Sequence, residues 1–297
     1  MLVVMLFPAP PAPVFPPDQS STSRSHIRYE DCAQDGRMIP TALPSQMSGL
    51  WQSVIARHPG SRNAISQGVV PILTRLTLIS ENQPIRIDRP VEARAGFQLA
   101  HAIENGEVGR LFMNVWVDVW GMAGRVGPRQ VDGDEARAGR VFAEHTFTRL
   151  FAPPDQRKVT RLPFEGYPDV PPDAYVAPPP KSAHEAPDGA TWIDELAPDV
   201  VEVAFTLDQT DANQHVNSLV YIRTFLDATQ RRLAAGNHPL KLRSHAVDIA
   251  YRKPCFAGER VRAHLRLFRL GDSLGAAGSI VGTDDKPRCY VRVMLQP

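Results

Sequence analysis

Apolar and polar residues alternate along several segments of the chain, as in β-strands with two different faces. Within 111–120, for example, Val115, Val117 and Val119 alternate with polar and aromatic residues. Such segments, rich in β-branched and apolar residues, occupy 69–79, 93–103, 110–120 and 140–151, and then 200–207, 244–251, 260–270, 276–283 and 289–295, and a short opening strand is expected at 26–30. The pattern predicts a sheet in each half of the chain.

Two other segments have the three- and four-residue spacing of a helix with one buried face. The first is 40–58, where Leu43, Met47 and Leu50 fall on that face. The second is 218–233, with Leu219, Ile222 and Phe225. Each half therefore repeats the order of strand, long helix and several strands.

Proline separates the two halves. Residues 152–190 carry ten of the 28 prolines and have no convincing periodicity, so we predict a linker over 153–194. The fold class is α+β, with a long helix wrapped by an antiparallel sheet in residues 26–152 and again in 195–297. Residues 1–25 are rich in proline and serine, which predicts a disordered leader.

Composition limits the class of protein. The 297 residues are 43% hydrophobic, enough to bury a sizeable core, and the net charge of +1 argues against a nucleic-acid binder. The three cysteines lie far apart, which favours a reducing compartment, and we expect a cytoplasmic protein. Prolines interrupt the apolar N-terminus after Phe7, so we expect no membrane span.

The densest polar cluster lies between the second-half strand and helix, where Asp211, Asn213 and His215 fall within five residues. In extended backbone these alternate side chains would share one side, next to the free N–H groups of the following helix. Such N–H groups can bind a developing oxyanion. The alternative is that the cluster only caps the helix.

Carboxylate, amide and imidazole groups are the types that thioester hydrolysis needs to activate water and stabilise the intermediate. This chemistry requires no metal and no organic cofactor. His238 and His245 form no recognised metal-binding spacing with His215. A thiol triad of Cys255, His215 and Asn213 is a further alternative, although a single cysteine in an apolar strand is usually an inert core residue.

The run Asp211-Ala-Asn213-Gln-His215-Val-Asn217-Ser-Leu-Val-Tyr221-Ile resembles the D-x-N-Q-H-V-N-N-x-x-Y-I signature of plant and bacterial acyl-carrier-protein (acyl-ACP) thioesterases, which have a double hotdog fold. Downstream, Tyr251-Arg252-Lys253-Pro254-Cys255 resembles the Y-R-R-E-C segment of this family. Segments 27–30 and 35–37 resemble its I-R-S-Y-E and D-R-T segments more loosely. The resemblance therefore spans both halves.

The resemblance implies a tandem (double) hotdog, with the acyl chain held by the N-terminal one. It also implies roles for individual residues. Asp211 would be the catalytic carboxylate, Asn213 and His215 would position water and polarise the thioester, and Cys255 would contribute nearby. The substrate-binding residues would be Asn217, Tyr221, Arg252 and Lys253.

The sequence departs from the family at Pro254, where the family has an acidic residue, and Glu259 is at a different distance from the motif. The expected function is hydrolysis of an acyl-ACP or acyl-CoA thioester in fatty-acid or polyketide metabolism. Acyl transfer, dehydration or cyclisation in the same pocket remains an alternative, as does an acyl-ACP binding protein without catalysis. Pairing of two chains through their sheets, as a homodimer, stays open, although hotdog proteins often pair in this way.

A local excess of basic residues follows the polar cluster. Residues 221–270 contain eleven basic residues and three acidic ones, a local charge of +8. Such a surface would steer an acidic carrier protein and would also accept the phosphates of coenzyme A. The alternative is an ordinary solvated surface.

Overall fold

A computed structural model describes residues 7–126, 133–162 and 166–297. Its described strands form one antiparallel sheet in the order β1-β3-β4-β5-β2-β8-β11-β10-β9, with β6 and β7 both paired to β9. The strands are β1 Ser20–Ser25, β2 Val69–Ser80, β3 Val91–Glu104, β4 Glu107–Met122, β5 Glu135–Arg149, β6 Thr191–Trp192, β7 Ala197–Ala204, β8 Arg243–Tyr251, β9 Arg260–Leu270, β10 Ser273–Gly282 and β11 Pro287–Gln296. The α-helices are α1 Ser48–Ser53, α2 Pro59–Ser66 and α3 Ser218–Ala235.

The long strands and the second-half helix confirm the sequence pattern. Val115, Val117 and Val119 are buried on the face of the sheet that turns toward the core, which we call the inner face. Trp116 lies on the opposite, outer face. Helix α3 buries Ile222 and Phe225 and exposes polar residues on its other side, as its periodicity predicts.

The predicted helix 40–58 is wrong as a single element. The chain forms short pieces there, namely the 3₁₀ helices Pro40–Met47 and Ile55–Arg57 and the helix α1, and helix α2 begins only after them, at Pro59. Pro44 cannot donate a main-chain hydrogen bond, and Pro59 holds the preceding residue His58 in extended backbone. Leu43 and Leu50 are still fully buried, so the apolar spacing predicted the buried face but not the continuous helix.

The expected disorder of residues 1–25 is also wrong over the described residues 7–25, whereas residues 1–6 lie outside the described part. Phe7 is 1% exposed and packs under the Arg292 guanidinium. The Pro10 carbonyl accepts a hydrogen bond of 2.9 Å from the Trp116 indole. Strand β1 pairs with β3, and the strand expected at 26–30 is absent, because a 3₁₀ turn, Tyr29–Asp31, begins within these residues. The segment that begins at Phe7 therefore packs on the outer face of the sheet.

The indole hydrogen bond allows a direct test of this segment. Replacing Trp116 with phenylalanine keeps an aromatic ring but leaves the Pro10 carbonyl without its donor, so we expect a loss of about 1 kcal/mol in the free energy of unfolding. Urea denaturation measures this loss. An equal loss in Trp120→Phe, which removes no comparable bond to this segment, would argue against the assigned contact.

The two halves of the sheet are arranged alike. From its outer strand toward the centre, the first half runs β1, β3, β4, β5, β2, and the second half runs β7, β9, β10, β11, β8. Strands β2 and β8 meet at the centre and pair antiparallel. This pseudo-twofold order is that of two fused units with the same topology.

The turn before the helical region is repeated as well, at a constant offset of 178 residue positions. In the first half the Ala33 amide donates to the Arg37 carbonyl at 2.9 Å, and in the second half Asp211 donates to His215 at 2.9 Å. Other equivalent pairs are Arg28 and Thr206, Asp31 and Gln209, Gly36 and Gln214, and Ile39 and Asn217. The first half therefore carries Ala33 where the second carries Asp211.

A buried ion network joins the halves on the outer face. The Asp248 carboxylate, fully buried on β8, accepts hydrogen bonds of 2.8 and 2.6 Å from Arg75 of β2 and one of 3.0 Å from Arg292 of β11. The Arg75 guanidinium also contacts the carbonyls of Pro178 and Pro179. The network therefore fixes part of the proline-rich segment to the central strands. The exact domain boundaries at 152 and 194 stay predictions.

Candidate active site

The candidate motif forms a tight turn. The Gln214 amide donates to the Asp211 carbonyl at 2.9 Å, the Asp211 amide donates to the His215 carbonyl at 2.9 Å, and Thr210 bridges to Val216. Gln214 has a φ of +66°, in the left-handed region. The extended backbone that we expected here is wrong, because the chain reverses within five residues.

The reversal places the backbones of Asp211 and His215 opposite each other by another route. Residues that face each other across an antiparallel pair project their side chains to the same side. Asp211 and His215 occupy such positions, and both are half-buried. Asn213, at the tip of the turn, is exposed, and its amide donates to the Asp211 carboxylate at 2.8 Å. The His215 ring lies edge-on to Phe256, with 5.1 Å between centroids.

Two contacts hold this turn against the core. The Val216 amide donates to the Cys255 carbonyl at 2.8 Å, and Asn217 donates to the Gln209 carbonyl at 2.8 Å. The Asn217 side chain then caps helix α3 by accepting a hydrogen bond from the Leu219 amide. The cap interpretation therefore holds for Asn217. The Leu219 amide, engaged in this cap, is not available to an oxyanion.

Cys255 lies behind the turn. Its side chain is fully buried, and its amide donates to the Tyr221 hydroxyl at 2.8 Å. Burial raises the pKa of the Cys255 thiol, with a smaller opposing effect from the Tyr221 hydroxyl. A raised pKa disfavours the thiolate, and the thiol triad is therefore the weaker interpretation. Tyr221 connects helix α3 to the segment that holds the turn.

Arg252 and Lys253, the two cations of the second motif segment, are exposed and lie outside the candidate turn. The amides of Arg252 and Lys253 both donate to the Arg288 carbonyl. The Lys253 ammonium pairs with Asp284 at 3.3 Å. Arg252 lines a groove on the outer face, which we call the outer groove and describe below. The structure thus gathers Asp211, Asn213 and His215 at one turn, with these two cations beyond it.

Sequence reasoning missed a histidine on the inner face of the first half. His145 of β5 is 5% exposed, lies edge-on to Trp51, and contacts the Met113 carbonyl through Nδ1 at 3.3 Å. Burial lowers the pKa of His145 to about 4. Alternation with Val141 and Ala143 along β5 was the signal that would have placed it inside.

His145 predicts a pH dependence of stability. The pKa of His145 is about 6.5 in the unfolded chain and about 4 in the folded protein. Between pH 6.5 and pH 4 the unfolded state therefore binds a proton at this residue that the folded state does not bind. Stability should therefore decline as the pH falls from 6.5 to 4, by on the order of 3 kcal/mol from this group. Urea denaturation across this range should show a smaller decline in His145→Phe. An unchanged decline would contradict the assignment.

Two cavities of different character are lined by residues of the first half and of the segment after it, and the second cavity also reaches the end of β8. One, of about 710 Å³, is lined largely by apolar residues and proline, including Leu99, Leu111, Leu162, Tyr167 and Val170. The other is the outer groove, of about 530 Å³, with Glu144 and Thr74 in its wall. Among the described residues, no group of three or more His, Cys, Asp or Glu side chains could hold a metal ion.

The basic excess over 221–270 does not form a single open patch. Most of its cations pair with acidic residues, and several of these partners come from other parts of the sequence. Examples are Arg231 with Asp199, Arg232 with Asp194, Arg243 with Asp35, Arg260 and Arg262 with Glu202, and Arg266 with Glu185. Counting charge along the sequence overestimated the surface available to an acidic carrier.

Known structures with this arrangement are double hotdog proteins. An acyl-ACP thioesterase from Bacteroides thetaiotaomicron has 14% sequence identity and a TM-score of 0.57, with 93% of this chain and 98% of that chain covered. The 12:0-ACP thioesterase from Umbellularia californica also has 14% identity and a TM-score of 0.57, with 94% and 97% covered. The fold is therefore α+β and double hotdog, as the resemblance implied, with one long helix in place of the two expected.

A protein assigned as an oleoyl thioesterase from Lactobacillus plantarum is similar over the same length, with 18% identity, a TM-score of 0.60, and 93% and 96% of the two chains covered. Neither a protein-family model nor a curated protein sequence matches the chain. Within the described part, no helix has the length and apolar character needed to cross a membrane. These similarities establish the fold.

Proposed function

We propose that the protein hydrolyses acyl thioesters carried by ACP or coenzyme A. The observation that supports this best is the turn at the start of α3, which directs Asp211 and His215 to the same side within a double hotdog fold. Asp211 would activate water, and His215 with Asn213 would polarise the thioester carbonyl. The apolar cavity beside Leu99 and Leu111 suits an acyl chain.

Two of the structures that share the fold are described as ACP thioesterases, which supports acyl-ACP as one donor. Purified protein should release free thiol and free acid from a panel of acyl-ACP and acyl-CoA thioesters of increasing chain length. Thiol release with a different acyl product would support transfer or cyclisation. Saturable binding without consumption would support a carrier-binding protein and contradict hydrolysis.

Two observations are also compatible with acyl transfer, cyclisation or carrier binding without catalysis. Pro254 stands where the related enzymes' motif has an acid, and the Glu259 carboxylate lies 3.6 Å from Arg288 Nε, as an ion pair. The Asp211 carboxylate also accepts the Asn213 amide, a purely structural use of that group. Mass spectrometry of the acyl product separates hydrolysis from transfer, and turnover separates both from binding.

Cys255 gives a prediction that discriminates between mechanisms. Because burial raises the pKa of its thiol, we expect no thiolate nucleophile, and Cys255→Ser should retain hydrolysis within a few-fold. Steady-state kinetics on a thioester of the panel measures this. A loss as large as that of an Asp211 variant, in a folded protein, would restore the thiol triad.

A further inference from the structure

The apolar cavity of about 710 Å³ has a buried imidazole in its wall. His101 of β3 lines this cavity together with Leu99 and Leu111, and it is 9% exposed. The other lining side chains that can form hydrogen bonds are less buried. Tyr167 is half-buried, and three more are exposed, namely Thr160, Arg161 and Asp169. His101 therefore supplies the hydrogen-bonding group that lies deepest among these lining residues.

The His101 ring is open to the cavity. The odd-numbered residues of β3 from Val91 to His101 are all buried, so this ring lies on the inner face with Leu99. The His101 carbonyl accepts the Tyr175 amide at 2.7 Å, but the ring forms no hydrogen bond with a residue of the described ranges. An imidazole offers at least one N–H donor. That donor remains available to a molecule in the cavity.

Packing contacts hold the wall that faces the sheet. The Tyr167 ring stacks on His58 with 5.6 Å between centroids and lies edge-on to Phe147 at 5.8 Å. The Leu111 amide donates to the Val159 carbonyl at 3.2 Å, which joins the chain after β5 to β4. The cavity is therefore bounded by side chains with fixed partners.

A row of inner-face residues connects the cavity to the candidate turn. Cross-strand pairing aligns one residue from each of four neighbouring strands, in the order Leu73, His145, Met113 and Leu99. Strand β8 follows β2 on the other side, and its last residue, Tyr251, donates through its hydroxyl to the Ser218 carbonyl at the start of α3. Strands lie about 4.8 Å apart, so β8 and β3 are separated by roughly 19 Å along the sheet. An acyl chain whose thioester lies at the turn would reach His101 with its distal half.

The free N–H group determines which acyl chain fits best. An unsubstituted alkyl chain would displace water from His101 and leave its donor without a partner, which is unfavourable. A hydroxyl group at this depth would accept the hydrogen bond, while the rest of the chain contacts Leu99 and Leu111. A site built to hydrogen-bond a hydroxyl discriminates strongly against the analogue that lacks it.

We infer that the apolar cavity selects an acyl chain with a hydroxyl group in its distal half, and that His101 binds this hydroxyl. This inference rests on the proposed function, because the chain enters as the acyl group of a thioester. It narrows the substrate class to distally hydroxylated fatty acyl groups. It also makes His101, from the first half of the chain, a residue that determines specificity.

Binding of free acids tests the inference without turnover. The probes are hexadecanoic acid, its isomers with one hydroxyl in the distal half, and the α-hydroxy isomer, whose hydroxyl lies beside the carboxylate. In isothermal titration calorimetry the wild-type protein should bind the best distal isomer about tenfold more tightly than the other two acids. His101→Leu should bind all of them alike. His101→Gln keeps an N–H donor and should keep part of the preference.

A second histidine provides the control. His26 is exposed and lies outside the residues that line the cavity, so His26→Leu should keep the wild-type preference. Circular dichroism checks the fold of each variant, and if His101→Leu does not fold, the wild-type preference and His101→Gln decide the question. Equal affinities in the wild-type protein, or an undiminished preference in folded His101→Leu, would overturn the inference.

The thioesters of the same acids separate this inference from the proposed hydrolysis. The wild-type kcat/KM should be about tenfold higher for the distally hydroxylated thioester than for the hexadecanoyl thioester, and equal for the two in His101→Leu. If no thioester is hydrolysed and the acids keep their order of affinity, the proposed hydrolysis fails and the specificity of the cavity stands. Hydrolysis at equal rates with both chains rejects the specificity and leaves the proposed function intact.

Discussion

Replacing Asp211 with asparagine is expected to lower kcat for thioester hydrolysis by roughly a hundredfold to ten-thousandfold, the range of a lost general base. Asparagine can still accept the hydrogen bond from the Asn213 amide that the carboxylate accepts now, so the turn should persist. The change therefore removes the base with little effect on the fold. Steady-state kinetics and circular dichroism on the same preparation measure both.

Asp208 provides a matched control for this variant. It is an exposed carboxylate on the 3₁₀ turn Leu207–Gln209, three residues before Asp211, and lies outside the candidate turn. Asp208→Asn should keep near wild-type activity. Similar losses in both variants would indicate a general effect of acidic charge in this region and would contradict a specific role for Asp211.

Replacing Asp248 with asparagine is expected to lower the free energy of unfolding by about 3–5 kcal/mol, since it leaves two buried guanidinium groups without their counter-charge. The Asp248 carboxylate binds both Arg75 and Arg292, and Asp248 and Arg75 are at most 1% exposed. The loss should appear in urea denaturation. Weakened packing of the segment near Pro178 should accompany it.

An exposed ion pair of the same sheet is the control for the buried network. Arg94 and Glu135 lie 3.0 Å apart with about half of each side chain exposed, so Glu135→Gln should cost less than about 1 kcal/mol. If Asp248→Asn costs no more than Glu135→Gln, the buried network contributes little beyond a surface pair, and the account of the central junction would be wrong.

Local patterning predicted much of the fold. Alternation along β4 and β9 and the apolar stripe on α3 reflect contacts made every second or every three to four residues, which a linear sequence displays directly. The motif at Asp211 also marked the candidate site, because its polar residues are adjacent in sequence. These features depend on neighbours along the chain.

Features that depend on distant contacts could not be predicted in this way. Order in the segment from Phe7 to Phe15 requires Trp116 and Arg292, more than a hundred residues away. The broken first helix was signalled by Pro44 and Pro59, but the apolar spacing suggested continuity. The reversal depends on a positive φ at Gln214. Residues other than glycine rarely adopt a positive φ, so nothing in the sequence indicated this conformation.

Whether Asp211 activates water for hydrolysis can be measured with an acyl-ACP in water enriched in oxygen-18, followed over many turnovers by mass spectrometry of the released acid. We expect free acid carrying one oxygen-18 atom from the solvent, in amounts equal to the thiol released, and almost none from Asp211→Asn. Thiol release with an acyl product that lacks solvent oxygen, or equal acid formation by Asp211→Asn, would contradict this expectation.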